Sequence, residues 1–345
     1  MVIYLKYYFI LMNILGFLFM YIDKEKAKNG KLRIKESILI IAAVIGGSLG
    51  SYAGMQIFRY KSEHGEFKYG ILLIILIHLV IFIYLGNNII SISRFSIESR
   101  NIPTEFNGYK IVQISDLHNK VFFENNNRLV NIIKNEKPDA IFFTGDIADR
   151  RNYSEDNIML LMEKIKTYAP VYFVTGNNEI LSGKFSSLEK KLKACGVIVL
   201  RNISVLVKRG SSEIYISGID DPVINKSEYE ENYKDTSFAK EEIEKIKKDG
   251  SYNILLSHRP ELFKLYADEK IDLIFTGHAH GGQVILPFLG GVIAPNQGFF
   301  PEYYKGVYRN EDTSMVVSRG LGNSLAPVRL FNLPEIVIVN LKGQS

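Results

Sequence analysis

At 345 residues and 39.3 kDa, with 47% hydrophobic residues, the chain is long enough for one large domain or two smaller ones with a sizeable core. Its net charge of +5 is unevenly placed: residues 1–100 hold 12 Lys and Arg against 6 Asp and Glu, and the remainder holds 30 against 31. The near-neutral remainder weakens a nucleic-acid reading, which needs a concentrated basic face, though a neutral average leaves room for a local patch; the single cysteine, Cys195, excludes an intrachain disulfide and reads as a small buried hydrophobe within KLKACGVIVL.

Three apolar stretches open the chain, about Tyr7–Ile22, Ile38–Ile57 and Tyr69–Ile90, each near the roughly 20 residues that span a hydrocarbon core. No small-residue cleavage site follows the first and two more spans come after it, so the reading is three membrane helices rather than a signal peptide. The loop DKEKAKNGKLRIKES between the first two carries Lys24, Lys26, Lys28, Lys31, Arg33 and Lys35, which places it in the cytoplasm by the positive-inside rule. Three full spans then put everything after Ile90 in the cytoplasm too. The second span contains Gly46, Gly47, Gly50 and Gly54, which either pack helices closely or break the segment into a re-entrant hairpin; the re-entrant form moves the C-terminal domain outside. The expected localisation is a multi-pass protein of the cell membrane. His78, inside LIHLVIF, reads as a helix-packing hydrogen bond.

From Ile111 the pattern changes. Short β-branched runs (KIVQIS, AIFFTG, VYFVTG, NILLSH, LIFTGH) alternate with amphipathic charged segments such as NNRLVNIIKNEKPD, which predicts an α/β layered domain. Further strands at SVLVKRG, EIYISGI, SMVVSRG and EIVIVNL predict a second sheet packed face to face with the first. The expected organisation is an all-α membrane domain over 1–93, a linker over 94–108 and the α/β domain over 109–345.

The strand ends carry the chemistry. SDLHN supplies Asp116 and His118, TGDIAD Asp146, TGNNE Asn177, SHRP His258, and GHAHGG His278 and His280. Ligands of α/β sheets gather outside the carboxyl ends of strands. Residues two apart on an extended chain point to one side, so Asp116 with His118, and His278 with His280, are each expected to present a pair of donors to one region. Four of the six histidines, two carboxylates and an amide form a donor set suited to Mn, Fe, Zn or Mg rather than to a thiolate site.

These motifs, D-x-H, G-D, G-N, H and G-H-x-H in that order over about Tyr109–Leu341, resemble the calcineurin-like metallophosphoesterase superfamily. GHAHGGQVILP, APNQGFFPEYYKGVY and SRGLGNSLAPVRLFNLPEI are similar to its bacterial membrane-associated branch of UDP-2,3-diacylglucosamine hydrolase-like enzymes. The N-terminal quarter resembles a small bacterial membrane domain of unknown function. The resemblance implies a two-sheet metallophosphoesterase sandwich flanked by helices and two divalent metal ions. Asp116, His118 and His280 would hold one ion, Asn177, His258 and His278 the other, and Asp146 would bridge them. It implies in-line attack on phosphorus by a hydroxide bridging the metals.

Asn178 departs from the commoner family pattern G-N-H-[DE], whose His protonates the leaving oxygen; an amide has no titratable proton near neutral pH. Arg259 either contacts a phosphate oxygen or caps the helix start before Pro260, and Asp220 with Asp221 either orient a site group or form an Asp-Asp-Pro turn. Phe299, Phe300, Tyr303 and Tyr304 read as a lip for acyl chains, a membrane-facing surface, or packing beneath the site loops. The expected protein is a membrane-anchored hydrolase of phosphate ester or diphosphate bonds, with Asp146, Asn178 and Arg259 as candidate catalytic residues and a lipid-linked or other phosphate substrate. The alternatives are an anchored nucleotide or cyclic-nucleotide phosphodiesterase and a non-catalytic metal-dependent sensor. Nothing in the sequence points to a protein partner.

Overall fold

A computed structural model of the protein describes residues 2–62, 64–225, 236–286, 288–323 and 328–343. It divides into two compact units, Met1–Tyr84 and Leu85–Ser345.

Three helices in the N-terminal part, with spans at Tyr7–Lys28, Glu36–Ile57 and Phe67–Asn88, are long and apolar enough to cross a membrane. The second is kinked: it runs as an α-helix over Glu36–Ala42, passes through a π-helical turn at Ala43–Gly47, and resumes over Ser48–Ile57. Gly46 makes the kink at φ 122°, a conformation that side-chain-bearing residues avoid. The glycines also permit contact: a Cβ on Gly50 would lie 1.8 Å from the carbonyl oxygen of Asn13. Asn13 satisfies backbone groups around the kink, its Nδ2 donating to Gly46 O at 2.9 Å and its Oδ1 accepting from Gly50 N at 2.7 Å. His78 meets Ser48 Oγ and Val44 O, both at 2.9 Å, so it is the helix-packing group the sequence led us to expect.

The second unit holds strands β1 (Ser91–Ser99), β2 (Lys110–Ile114), β3 (Ala140–Thr144), β4 (Val171–Val174), β5 (Ile198–Val199), β6 (Ile203–Arg209), β7 (Ser212–Gly218), β8 (Tyr252–Leu256), β9 (Leu273–Thr276), β10 (Gly306–Asn310), β11 (Thr313–Val317) and β12 (Glu335–Gly343). They form two six-stranded mixed sheets, in the orders β1-β12-β2-β3-β4-β5 and β10-β11-β9-β8-β7-β6. The inner faces meet in one core, where Phe142 packs edge-on against Phe275 of the other sheet at 5.0 Å. Helices Asn127–Glu136, Asp156–Ile165 and Phe185–Ala194 cover the outer face of the first sheet; Ser237–Ile246 and Phe263–Asp268 cover that of the second. The central strands are therefore buried on both faces, which is why AIFFT and LIFT read as continuous apolar runs rather than alternating ones.

Two expectations are corrected here. Residues 91–99 lie in an edge strand paired in parallel with β12 from Ser91↔Glu335 to Ser99↔Gly343, so the stretch 94–108 is not a linker. The alternation that marks this strand is faint because its inward positions begin with Ser91 and Ser93 before reaching Phe95 and Ile97. Sheet membership also differs: NILLSH and LIFTGH belong to the second sheet, and EIVIVNL, the last strand, inserts into the first between β1 and β2.

Deleting β1 would expose the long edge of β12 and strip away Phe95 and the buried Ile97. A chain beginning at Ile89 should fold, whereas one beginning at Arg100 should lose roughly 3–6 kcal/mol and melt about 10 °C or more lower. Thermal unfolding followed by circular dichroism compares the two; equal midpoints would mean the strand is dispensable.

Candidate metal centre

Strands β2, β3 and β4 run parallel in one sheet and β8 and β9 run parallel in the other, so their C-terminal ends bring five loops to one edge of the sandwich. Asp116 and His118 follow β2, Asp146 follows β3, Asn177 follows β4, His258 follows β8, and His278 and His280 follow β9. The loops are not extended. Asp116, His118, Asp146, His278 and His280 all have left-handed backbones, with φ between 47° and 64°. Hydrogen bonds between loops hold them so: Asp116 N to Gly145 O and His118 N to Asp146 O at 3.0 Å, and Leu321 N to Ser115 O at 3.0 Å. Gly277 is required for a different reason, since a Cβ there would sit 2.4 Å from Asp116 Oδ2.

This geometry sorts the side chains into two groups whose candidate ligand atoms lie within 4.8 Å of one another. One is Asp116, His118, Asp146 and His280; the other is Asp146, His258 and His278, and Asp146 belongs to both. His278 and His280 therefore serve different groups, unlike the paired donors that an extended chain would give. His118 Nε2 faces His280 Nε2 at 3.2 Å, and His258 Nε2 faces His278 Nδ1 at 3.1 Å. Asp146 Oδ2 lies 3.6 Å from His118 Nε2 and 3.4 Å from His258 Nε2, and Asp116 Oδ1 lies 3.3 Å from His280 Nε2. Asn177 is buried at the start of helix Asn177–Leu181, between two residues that touch the shared carboxylate: a Cβ on Gly176 would meet Asp146 Oδ1, and Asn178 N donates to that oxygen at 2.8 Å.

The electrostatics describe a site that demands positive charge. Burial pushes the Asp116 carboxyl up, and the neighbouring Asp146 charge pushes in the same direction. Burial also acts against ionised Asp146, but His258 and His118 overcome it and hold this carboxyl well below its ordinary range. His258 shows the reverse balance: burial disfavours its protonation, yet Asp146 and Asp116 raise it to about 10. Burial, with cationic neighbours, keeps His278 and His280 well below the usual imidazole range and hence neutral at pH 7.

The supporting residues fix which nitrogens face inward. His258 Nδ1 donates to Thr144 O at 2.7 Å, leaving Nε2 for the site. His278 Nε2 lies 2.9 Å from Asn296 Oδ1 and 3.0 Å from Arg259 Nη1, which turns Nδ1 toward the site. Arg259 stands behind that ring rather than in the crevice. Its Nε and Nη2 engage Asp221 at 2.6 and 2.8 Å, and its Nη1 reaches Asn296 Oδ1 at 2.7 Å. The buried fork is thus committed to Asp221, which also accepts from Val223 N in a local turn, while Asp220 pairs with Arg201 and Thr175. Asn178 donates its amide Nδ2 to Asp146 Oδ2 at 2.7 Å and accepts from Arg150 N.

Glu179, Asn296 and Asn332 were not singled out in the sequence. Fully buried Glu179 receives the N–H groups of Asp146, Ala148 and Gly176 at 2.7–2.9 Å, and burial together with the Asp146 charge raises it to about 8. Its signal was a Glu three residues after the helix-starting Gly176, the spacing of an N-terminal cap. Asn332 donates to His280 O at 2.7 Å, a partner 52 residues away that no local pattern announces.

Replacing Asn296 by Ala removes the acceptor that orients His278. It should weaken one of two metal equivalents about 10- to 100-fold, read by competition against a chelating dye, with unchanged circular dichroism. Full affinity at both sites would show that the ring needs no such support.

The family model for calcineurin-like phosphoesterases matches residues 109–282, and DUF1294, a protein of unknown function, matches residues 13–67. The metallophosphoesterase YkuE of Bacillus subtilis is 32% identical over 267 residues, covering 76% of this chain and 89% of YkuE. A metallophosphoesterase of Aquifex aeolicus is 29% identical over 272 residues, covering 76% of this chain and 95% of that protein. Among solved structures, the sulfate thiohydrolase SoxB of Thermus thermophilus matches with a TM-score of 0.43 at 13% identity, covering 64% of this chain and 53% of SoxB. With a family model spanning half its length and YkuE matched over most of its own, the chain belongs to the calcineurin-like phosphoesterases and is a metal-dependent phosphoester hydrolase.

Proposed function

We propose that the protein is a multi-pass, membrane-anchored two-metal hydrolase that cleaves phosphate ester or diphosphate bonds of a lipid-linked substrate. Asp116, His118 and His280 would hold one divalent cation, Asn177, His258 and His278 the other, and Asp146 both. The residues fit that role: two pairs of imidazole nitrogens converge at 3.1 and 3.2 Å on buried carboxylates, with no thiol in either group. Two such cations supply an activated water at neutral pH and withdraw charge from phosphoryl oxygens.

The observation that carries the lipid half of this reading is where the chain enters its second unit. Only Ile89 and Ile90 separate the last apolar helix from β1. β1 starts opposite Glu335, the first residue of β12, and β12 runs antiparallel to β2, so Ser91 lies at the edge where β2 delivers Asp116. Lys120, two residues past His118, donates to Asn87 O. The crevice thus opens at the end of the unit at which the chain enters β1. The basic loop between the first two helices supports the cytoplasmic side if all three cross.

Asn178 shapes the choice of bond. Its amide nitrogen is bonded to Asp146, so it orients the shared carboxylate and offers no proton to a leaving oxygen. General-acid help is worth about 10² to 10⁴ in rate, and its absence weighs most on alkoxide leaving groups. A phosphate leaving group carries its own charge.

The full chain in detergent with Mn²⁺ tests this on an alkyl phosphate, a matched lipid-linked diphosphate, a soluble nucleoside diphosphate and bis-p-nitrophenyl phosphate. The lipid diphosphate should react at least about 10² times faster than the alkyl ester, with activity lost in His278→Ala and alkyl ester hydrolysis raised in Asn178→His. Equal rates on the two would remove the leaving-group argument, and preference for the soluble nucleotide would make the protein an anchored nucleotide phosphodiesterase. Two metals bound without turnover would make it a binding protein.

A further inference from the structure

Exposed apolar side chains gather on the segment that follows His280. One short hairpin pairs Ile285–Leu286 with Gly290–Gly291 and carries Phe288 and Leu289 at its turn; a second pairs Ile293–Ala294 with Gly298–Phe299. Phe300 N bonds Val292 O and Val292 N bonds Val284 O, both at 2.9 Å, so the hairpins form one structure. Ile285 N bonds Leu330 O at 3.0 Å, which brings Phe331 alongside. Gly282 and Gly291 are in backbone contact, rooting the assembly on the turn that carries His280.

Phe288 is fully exposed, and Phe299, Leu289, Phe300 and Phe331 are 58–74% exposed. Ile293 and Phe299 are register partners and both are exposed. These are not leftovers of poor packing. Tyr303 and Tyr304, a few residues on, turn inward, with Tyr303 edge-on to Phe263 and Tyr308. Moreover, residues 283–300 contain no charged side chain at all. A soluble surface would normally interrupt such a stretch with charge to prevent association.

We propose that the tips of these two hairpins insert into the interfacial layer of the bilayer that holds this chain's apolar helices, seating the mouth of the metal centre against the lipid surface. The occupant is a bilayer because the same chain carries three helices of spanning length, and because it enters the unit at the edge from which the hairpins rise. The inference rests on the membrane-anchored reading above and adds how a lipid-linked phosphate reaches the site. The phosphate enters the crevice while the hydrocarbon stays in the bilayer.

The chain contains no tryptophan, so one introduced residue is an unambiguous probe. Full-length Phe288→Trp, Phe299→Trp and, as a control on an outer helix, Leu160→Trp would be reconstituted in phosphatidylcholine vesicles with and without acyl-chain bromine. Emission of the first two should be quenched at least about twofold by bromine placed roughly 5–10 Å below the headgroup boundary, and that of the control should not. Absence of quenching in both overturns the proposal, as does an unquenched but protein-concentration-dependent blue shift, which would assign the surface to a second copy. A Phe288→Ser/Phe299→Ser/Phe300→Ser variant should raise KM for a vesicle-embedded lipid diphosphate about tenfold and leave bis-p-nitrophenyl phosphate hydrolysis unchanged. Equal losses on both substrates would overturn the docking role. Quenching without lipid turnover would leave this surface standing and remove the lipid substrate; lipid turnover without quenching would do the reverse.

Discussion

Asp116, Asp146 and Glu179 are three carboxyl groups buried at one edge of a protein, and the rest of the site is arranged around that charge. An uncompensated buried ion costs several kcal/mol even after relaxation. Glu179 receives three backbone N–H groups, yet burial and the Asp146 charge still raise its carboxyl to about 8. His258, His118 and both Asn178 nitrogens hold Asp146 ionised, but burial and that same charge push the Asp116 carboxyl up, and the His278 and His280 rings beside it stay neutral. Divalent cations would favour the ionised form of both carboxylates, and the neutral rings would offer them lone pairs where charged ones would repel. The ring-orienting contacts with Thr144 O and Asn296 Oδ1 follow from the same need, because a ring that turned over would present the wrong nitrogen to the site.

Placing those groups together also has a backbone cost. Five predicted ligand residues sit in left-handed conformations, each unfavourable by about 1–3 kcal/mol for a side-chain-bearing residue. The sum is comparable to the whole net stability of a typical domain, roughly 5–15 kcal/mol. Such strain persists only if the surroundings leave no alternative. The central strands provide that, each buried on both faces by the sandwich core and by a helical layer, and the loops they deliver are bonded to one another across the edge. The four-layer architecture matters to function in this sense: it holds loop ends that would relax on a smaller scaffold.

How much of this was legible in the sequence depends on how local each cause is. The ligand candidates were legible because each follows an apolar run within two to four residues, and that rhythm survives without knowledge of the fold. Membership of the two sheets was not, because β12 reaches its neighbours only through pairings with residues more than 200 positions away. β1 was hidden by serines at inward positions. The left-handed turns left no mark in Asp116 or His278 themselves, so the pairs looked extended. Arg259 could not be assigned because its partner Asp221 lies 38 residues earlier, and the aromatic loop could not be divided into inward tyrosines and outward phenylalanines without its hairpins.

The two adjacent asparagines mark the point where packing and chemistry meet. Asn177 occupies a buried position beside the shared carboxylate, and Asn178 clamps that carboxylate with both its backbone and its side-chain nitrogen. An amide at 178 exchanges a proton donor for a permanent hydrogen-bond donor. That exchange is unfavourable for an enzyme that must expel an alkoxide and nearly neutral for one whose leaving group is already a phosphate. A site that stabilises its own geometry at the expense of general-acid help is therefore suited to a narrow set of bonds. If the uncharged hairpins beside His280 seat in a bilayer as proposed, the source of those bonds narrows further, toward substrates whose reactive phosphate lies at a membrane surface and need not be bound from solution.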